Sequence, residues 1–403
     1  MNKKQLFIWS LYDFANSIVA INFILYFSVW IVVDGGLSDF WYNAIFAIAS
    51  LILLFSAPNL AARIDLRGGG KRWLNIATVG TFIFYSLAAI FAGADFHVLL
   101  IALMFLIGQY FYQLSFVFYN PMLDDIADDA HKSRVSGIGN FASSLGFVIG
   151  ILITLPFADS RITPLLISIP VFFVLALPMM IFFKEAQKNN TEVAPDQARD
   201  NQAFVRKMLK FLAVSTATPM LLAFFFYNDA FLTVSNNYSI YLERVFKVSD
   251  TTKSVLLLLV LITSAIGSVI AGWLGDKIGP FRTLKYILLG WVITLPLLAL
   301  VSNFFLVSAV SVLMGLLIGS AWTTSRAYLI TVLPKKDMSY GFSFYTIAER
   351  FSTLVGPMTW GIIISVMGTE AFAYRVAVMS MMVFVIIGFF ILHSWKRKKD
   401  YGV

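Results

Sequence analysis

Apolar stretches separated by short polar connections follow one another along the whole chain. Most are close to the ~20 residues that a helix needs to cross the ~30 Å hydrocarbon core of a bilayer. They do not alternate between apolar and polar residues, as strands of a membrane barrel do. Backbone groups in lipid must be satisfied within their own segment, so we predict helices. The predicted spans are 6–33, 40–62, 73–93, 98–119, 135–156, 164–183, 212–242, 254–273, 283–302, 304–331, 341–366 and 371–393.

The composition supports a membrane protein. The 403 residues are 59% hydrophobic and 13% charged, whereas soluble domains are roughly 45–50% apolar and 25% charged. Because there is no cysteine, disulfides, thiol catalysis and cysteine metal sites are excluded, and the three histidines show no ligand spacing. Lys3 and Lys4 precede an apolar run that is too long for a signal peptide, so we expect a retained first span.

The basic residues are distributed unevenly between the two sides of the membrane. With twelve spans, 23 of the 30 Lys and Arg residues fall on the side of the N-terminus and four on the other side. Since Lys and Arg are enriched in cytoplasmic loops, we expect both termini in the cytoplasm and a multi-pass protein of the cell membrane. The net charge of +8 therefore reflects membrane orientation rather than nucleic-acid binding.

Landmarks of the first half recur in the second half. Asp13 matches Asp229 at an offset of 216, Asp65 matches Asp276 at 211, and Pro121 matches Pro334 at 213. We predict an all-α membrane protein of twelve transmembrane helices in two pseudo-symmetric six-helix bundles, with a binding cavity near mid-membrane. The expected domains are a bundle at 1–183, a cytoplasmic linker at 184–210, a bundle at 211–395 and a basic tail at 396–403.

Residues 272–282 read G-W-L-G-D-K-I-G-P-F-R, which resembles the G-x-x-x-D-[RK]-x-G-x-[RK] loop signature of the major facilitator superfamily. We expect its small residues to let helices approach, Gly279 to adopt a positive φ and Asp276 to meet a helix N-terminus. Ala61 replaces glycine in the first copy. The candidate conformational-gate residues are Asp65, Arg67, Lys71, Arg72, Asp124, Asp125, Gly272, Asp276, Lys277, Gly279 and Arg282.

An acidic string, D-D-x-x-D-D at 124–129, leaves an enzyme as an alternative. Membrane prenyltransferases hold Mg²⁺ and a diphosphate with such carboxylates. The corresponding segment of the second half, 334–337, lacks a second acidic face, so we expect pairing with Arg67, Lys71 and Arg72 instead. We therefore predict no enzyme activity, no metal and no cofactor. Glycines four residues apart, at 146/150 and 315/319, predict close helix packing.

Charged residues inside the spans indicate a polar interior. Each costs about 2.5–3.5 kcal/mol at a helix centre, so several of them should face water or pair with one another. Asp13, Asp229 and Glu349 are candidates for proton coupling, and Arg326 and Arg350 for holding a substrate carboxylate. The candidate substrate- and proton-binding residues are Asp13, Asn16, Gln109, Gln113, Asn228, Asp229, Trp322, Arg326, Tyr345, Glu349 and Arg350.

Further strings are similar to the autophagy-related vacuolar amino-acid effluxer family and its bacterial relatives. They are Y-D-F-A-N-S at 12–17, Y-N-P-M-L at 119–123, R-V-S-G-I-G at 134–139, F-Y-N-D at 226–229 and residues 344–357. The resemblance implies small zwitterionic substrates. We expect a monomeric secondary transporter of a small polar solute working by alternating access, with protons as candidate coupling ions. A drug–proton antiporter and a membrane prenyltransferase are the alternatives.

Overall fold

A computed structural model describes residues 3–67, 69–126, 132–185, 215, 217–333, 344–345, 348–349 and 351–401. Within these ranges every regular element is helical. The chain divides into two compact units, Met1–Leu37 with Ile48–Lys207, and Ser38–Ala47 with Met208–Val403. The beginning of the second helix is therefore counted with the second unit.

The first half contains six long helices. The first continues after Asn22 through wider π-helical turns at Phe23–Phe27 and Trp30–Asp34. The helices are α1 Lys3–Asn22, α2 Asp39–Arg67, α3 Gly70–Gly93, α4 Val98–Tyr119, α5 Lys132–Thr154 and α6 Thr163–Phe182. Short 3₁₀ turns, Asn120–Asp125 and Leu155–Phe157, follow α4 and α5.

The second half repeats this order. Its helices are α7 Thr218–Phe246, α8 Asp250–Ile278, α9 Pro280–Leu300, α10 Phe304–Val332, α11 Val355–Met367 and α12 Ala371–Tyr401. Among the described residues, ten helical stretches are long and apolar enough to cross a membrane. The α7 and α11 helices do not count among the ten. The 29-residue α7 buries Asn228, Asp229, Asn236 and Asn237, and α11 has only 13 residues. Residues 341–343, 346–347 and 350 of the predicted span 341–366 lie outside the described residues.

Helix pairs in one unit recur in the other, six helices further along the chain. In the first unit α1 packs on α5 and α6, and α3 packs on α4 and α6. In the second unit α7 packs on α11 and α12, and α9 packs on α10 and α12. This arrangement supports the prediction of two related six-helix bundles. The predicted domain boundaries stay a prediction.

Glycines bring several of these helices into contact. A Cβ at Gly146 would lie 2.3 Å from the Phe14 carbonyl oxygen of α1. A Cβ at Gly319 would lie 1.9 Å from the Ser264 carbonyl oxygen of α8. The predicted close packing at the glycine pairs is therefore confirmed, because backbone atoms leave no room for a side chain.

The glycines of the loop between α8 and α9 were predicted to form a tight turn and to bring helices together. Gly279 has φ +86°, as predicted for the tight turn. The expectation that the small residues of this loop bring helices together stays a prediction at Gly272 and Gly275. A Cβ at either position would have no described atom within 4 Å.

Candidate functional site

In the first unit, Asp13 lies beside a buried aromatic group. Tyr12 is fully buried, and its hydroxyl is 2.8 Å from Thr78 Oγ1 of α3. Trp9 stacks on Tyr119 with ring centroids 4.7 Å apart, and Tyr119 Oη donates to the Trp9 carbonyl at 3.0 Å. Asp13 is half-buried and within electrostatic reach of Tyr12 and Tyr119. The packing of α1 on α3 and α4 thus fixes the position of this carboxylate.

The amides predicted for this half are oriented by different partners. Asn16 Nδ2 donates to the Tyr12 carbonyl of its own helix at 2.8 Å. Gln109 Oε1 accepts from Tyr85 Oη at 2.7 Å. Gln113 Oε1 accepts from Ser50 Oγ at 3.3 Å, which links α4 to α2 within the first unit.

In the second unit, α7 carries the sequence Tyr227-Asn228-Asp229, and all three side chains are fully buried. Tyr227 Oη lies 2.6 Å from Ser325 Oγ, and Trp322 Nε1 donates to Asn228 Oδ1 at 2.9 Å, so both contacts join α7 to α10. The Gly356 N–H, in the first turn of α11, donates to Asp229 Oδ2 at 2.7 Å. The partial positive charge of this helix end favours the carboxylate.

Tyr345, a predicted site residue of the second unit, lies near two predicted charged residues. Its ring is buried and stacks on Phe224 of α7 with centroids 4.1 Å apart. Arg326 is within side-chain hydrogen-bonding reach of Tyr345, and Glu349 is within electrostatic reach. A cation and an anion thus flank one phenol. Arg350 lies outside the described residues.

Several buried polar atoms of α7 and α10 have no hydrogen-bond partner among the described residues. They are Asn228 Nδ2, Asp229 Oδ1, Thr233 Oγ1 and Thr324 Oγ1. Buried polar groups are usually satisfied, so such a group of exceptions needs an explanation. The atoms include donors and acceptors, so they can bind a polar solute, water or a proton.

The gate-loop residues lie in varied surroundings. Lys71 Nζ donates to the carbonyl oxygens of Ile181 at 2.9 Å and Phe183 at 2.7 Å, at the end of α6. The expected pairing of Lys71 with the acidic string is therefore corrected, since these oxygens hold its ammonium group. Both oxygens of the Glu185 carboxylate accept N–H groups at the start of α3, from Gly70 at 2.8 Å and Lys71 at 3.2 Å. This contact was not predicted from the sequence.

In the loop of the second half, Lys277 Nζ lies 3.7 Å from the ring centroid of Trp273. Asp276 is exposed, and among the described residues no hydrogen bond joins it to a helix N-terminus, contrary to expectation. Arg282 and, in the first half, Arg72 are exposed. The predictions for the side chains of Asp65, Arg67, Asp124, Asp128 and Asp129 lie outside what the structure describes, whereas Asp125 is described and half-buried.

A second polar group in the second unit was missed from the sequence. At the start of α2, Asp39 Oδ2 accepts from Tyr374 Oη at 2.8 Å. One turn later, Asn43 exchanges two hydrogen bonds with Asn237 of α7, at 2.8 and 3.0 Å. Both Asn residues are fully buried. Polar residues inside predicted spans were the available signal, because an Asn in lipid needs a partner.

The sequence model of the Major Facilitator Superfamily matches residues 219–401. The Bacillus subtilis (strain 168) protein called uncharacterized MFS-type transporter YxiO is 23% identical over 421 residues, which cover 96% of this chain and 94% of that protein. The Escherichia coli (strain K12) fosmidomycin resistance protein is 25% identical over 214 residues, which cover 51% of this chain and 50% of that protein.

Among solved structures, the crystal structure of the nucleoside transporter NupG superposes with a TM-score of 0.72 at 13% sequence identity. The match covers 98% of this chain and 99% of NupG, so the shared fold extends over nearly the whole length of both chains. The predicted fold class is thereby confirmed, and the prenyltransferase alternative is excluded. The second half of the chain is therefore similar to the Major Facilitator Superfamily, and the whole chain is similar to a protein named as a transporter of that type and shares the fold of NupG.

Proposed function

We propose that this transporter carries a small zwitterionic solute of the amino-acid kind. The observation that supports it is the group around Tyr345, where Arg326 and Glu349 place opposite charges beside one buried phenol. A guanidinium binds a carboxylate through two parallel hydrogen bonds, and a carboxylate binds an ammonium group. Within the same unit, Asn228 offers a neutral hydrogen-bond donor. In the first unit by itself, Asn16, Gln109 and Gln113 are the proposed neutral hydrogen-bonding residues.

Alternating access with proton coupling is the proposed mechanism. A carboxylate in a poorly solvated site can cycle between neutral and charged forms, which is what a coupling group requires. Asp13 and Glu349 are half-buried and Asp229 is fully buried, and each lies within a membrane helix or beside one. The proposed setting is a cell membrane, with a monomeric protein and both termini in the cytoplasm.

Transport by purified protein in liposomes tests the solute. We expect saturable uptake of at least one labelled zwitterionic amino acid and stimulation by a pH gradient. Neutralising either charge, by Arg326→Gln or Glu349→Gln, should lower uptake at low solute concentration by at least about tenfold, which corresponds to ~1.4 kcal/mol of lost binding. Arg326→Lys keeps the charge without the planar donor pair and should lie between wild type and Arg326→Gln.

Lys247→Gln is the matched control, because this exposed lysine lies at the end of α7 and carries the same charge. It should leave uptake unchanged. Uptake of nucleosides or organic anions without any amino acid, or unchanged uptake in both charge variants, would contradict the proposed substrate class.

Drug efflux is the second candidate function. It rests on the likeness of half of this chain to a protein named for fosmidomycin resistance. Expression in a drug-sensitive strain distinguishes the two functions. A raised inhibitory concentration that disappears in Arg326→Gln would favour efflux, whereas unchanged sensitivity together with amino-acid uptake in liposomes would favour the zwitterion carrier.

A further inference from the structure

A basic groove lies at one end of the first unit, where α1 and α3 begin and α6 ends. Its volume is about 370 Å³, and three of the seven residues that line it are lysines, Lys4, Lys71 and Lys184. Because these helix ends mark the edge of the apolar spans, the groove lies at the level of lipid headgroups.

The framework of the groove is fixed by hydrogen bonds between helix ends. Gln5 is buried, and its side-chain Nε2 donates to the Phe182 carbonyl at 3.3 Å. Its Oε1 accepts the Lys184 N–H at 2.9 Å. Together with the two bonds from Lys71 Nζ to the end of α6, these contacts hold three helix ends together. The groove is therefore organised before any ligand binds.

Three lysines give the lining of the groove a positive charge. Lys4 and Lys184 are exposed, and Lys4 Nζ lies 5.9 Å above the ring of Phe182. The nearby carboxylate of Glu185 is turned to the start of α3, where its two oxygens accept backbone N–H groups. Ammonium groups are hydrogen-bond donors suited to a phosphate group.

An apolar surface continues from the groove along α6. Ile181 and Phe182, at its rim, are 58% and 56% exposed. Leu166, Pro170 and Val174 are also exposed and, with Ile181, lie on one helical stripe that runs away from the lysines. Acyl chains fit along this stripe when a phosphate occupies the groove, whereas a free anion would not contact the stripe.

We propose that this groove is a binding site for the phosphodiester headgroup of an anionic phospholipid. Lys4, Lys71 and Lys184 bind the headgroup, and the exposed stripe of α6 supports its acyl chains. Basic pockets between helix ends on the Lys- and Arg-rich side of a membrane protein suit such lipids, since the inner leaflet is rich in anionic headgroups. Bound lipid would brace α1, α3 and α6.

Lipid retention by the full-length protein in a nonionic detergent tests the site. Phosphatidylglycerol and phosphatidylcholine with identical acyl chains are added separately, and bound lipid is counted by native mass spectrometry. The thermal midpoint is measured in parallel, with inorganic phosphate as a third addition. We expect phosphatidylglycerol alone to be retained and to raise the midpoint.

The variant pair Lys4→Gln with Lys184→Gln should weaken phosphatidylglycerol binding at least tenfold. The pair Lys4→Arg with Lys184→Arg should keep it, and Lys247→Gln should have no effect. Lys71 is left unchanged because it also joins α3 to α6. Equal retention of phosphatidylcholine, an equal midpoint shift with inorganic phosphate, or undiminished binding in the Gln pair would overturn the proposal.

Discussion

The helix pair α1–α5 in the first unit and its counterpart α7–α11 in the second unit solve the same packing problem differently. In the first pair, Gly146 meets backbone, since a Cβ there would lie 2.3 Å from the Phe14 carbonyl oxygen. In the second pair, Gly356 meets side chains, since a Cβ there would lie 2.3 Å from Thr233 Oγ1 and 2.8 Å from Asp229 Oδ1. The duplicated carboxylates, Asp13 and Asp229, have correspondingly different surroundings.

This difference indicates that the two duplicated carboxylates have different structural roles. Asp229 is fully buried and bonded to the Gly356 N–H, so it holds the start of α11 against α7. Asp13 is half-buried and within electrostatic reach of two tyrosines, so it is less buried than Asp229. The comparison therefore predicts unequal responses to equal substitutions.

The largest expected effect is that of Gly146→Ala. Its added methyl group meets a carbonyl oxygen of α1, which cannot rotate away, so α1 and α5 must separate. We expect a loss of about 3 kcal/mol in the free energy of unfolding, the upper end of the usual range for overpacking. Thermal and denaturant unfolding in detergent measure it. Gly137→Ala on the same helix is the control, because no described atom lies within 4 Å of its Cβ position. Equal stability of both variants would show that the contact between Gly146 and the α1 backbone does not limit packing.

Gly356→Ala should cost less, about 2 kcal/mol, because its obstacles are side-chain atoms that can move. Thr233→Ala removes the nearer obstacle, and Thr233 Oγ1 has no partner among the described residues. The double variant should therefore recover part of the lost stability in the same unfolding assay. Additive losses would show that Asp229 or the backbone, rather than Thr233, limits this contact.

The two carboxylates are compared by Asp13→Asn and Asp229→Asn. An amide cannot cycle between neutral and charged forms, so both variants should lose at least about tenfold in accumulation driven by a pH gradient, ~1.4 kcal/mol. Asp229→Asn should also lower thermal stability, because it replaces a charge-assisted bond to Gly356 by a neutral one. Undiminished accumulation in both variants would remove both residues from the mechanism, and equal stability would contradict the proposed division of roles.

The helices and their duplication could be predicted because span length and the distribution of Lys and Arg are properties of the sequence itself. Pairings between helices could not, since a span that is apolar on all sides does not reveal which face meets which neighbour. Lys71 illustrates this limit, because its partners are carbonyl oxygens about 110 residues away in α6. Asn43 and Asn237 are 194 residues apart, and neither local sequence indicates that the two side chains are hydrogen-bonded.

The residues of the candidate site could be predicted from the sequence, but the contacts between them could not. Asp229, Arg326 and Glu349 could be selected because they are charged residues inside apolar spans. Inserting such charges into a membrane costs free energy, so they are expected to be functional. Their neighbours followed from packing. The bond from Gly356 to Asp229 depends on where α11 begins, and its start at Val355 lies inside the predicted span 341–366.

The smallest expected effect lies at the tyrosines, where the two halves agree. Thr78 Oγ1 donates to the Leu74 carbonyl and Ser325 Oγ to the Ala321 carbonyl, so Tyr12 and Tyr227 are the donors in their hydroxyl pairs. Each Tyr→Phe change removes one such bond and leaves its acceptor hydroxyl bonded. We expect each change to cost about 1 kcal/mol in the free energy of unfolding.

Double-mutant cycles isolate the two bonds. Tyr12→Phe is combined with Thr78→Ala, and Tyr227→Phe with Ser325→Ala, and unfolding in detergent gives both coupling energies. Coupling energies within about 0.5 kcal/mol of each other would assign the difference between the halves to Asp13 and Asp229 rather than to the tyrosines, since that is the accuracy to which independent effects add. A clearly larger coupling at Tyr227 would show that the whole Tyr-Asn-Asp segment of α7 differs from its counterpart in α1. The tyrosines would then not have equivalent roles in the two halves.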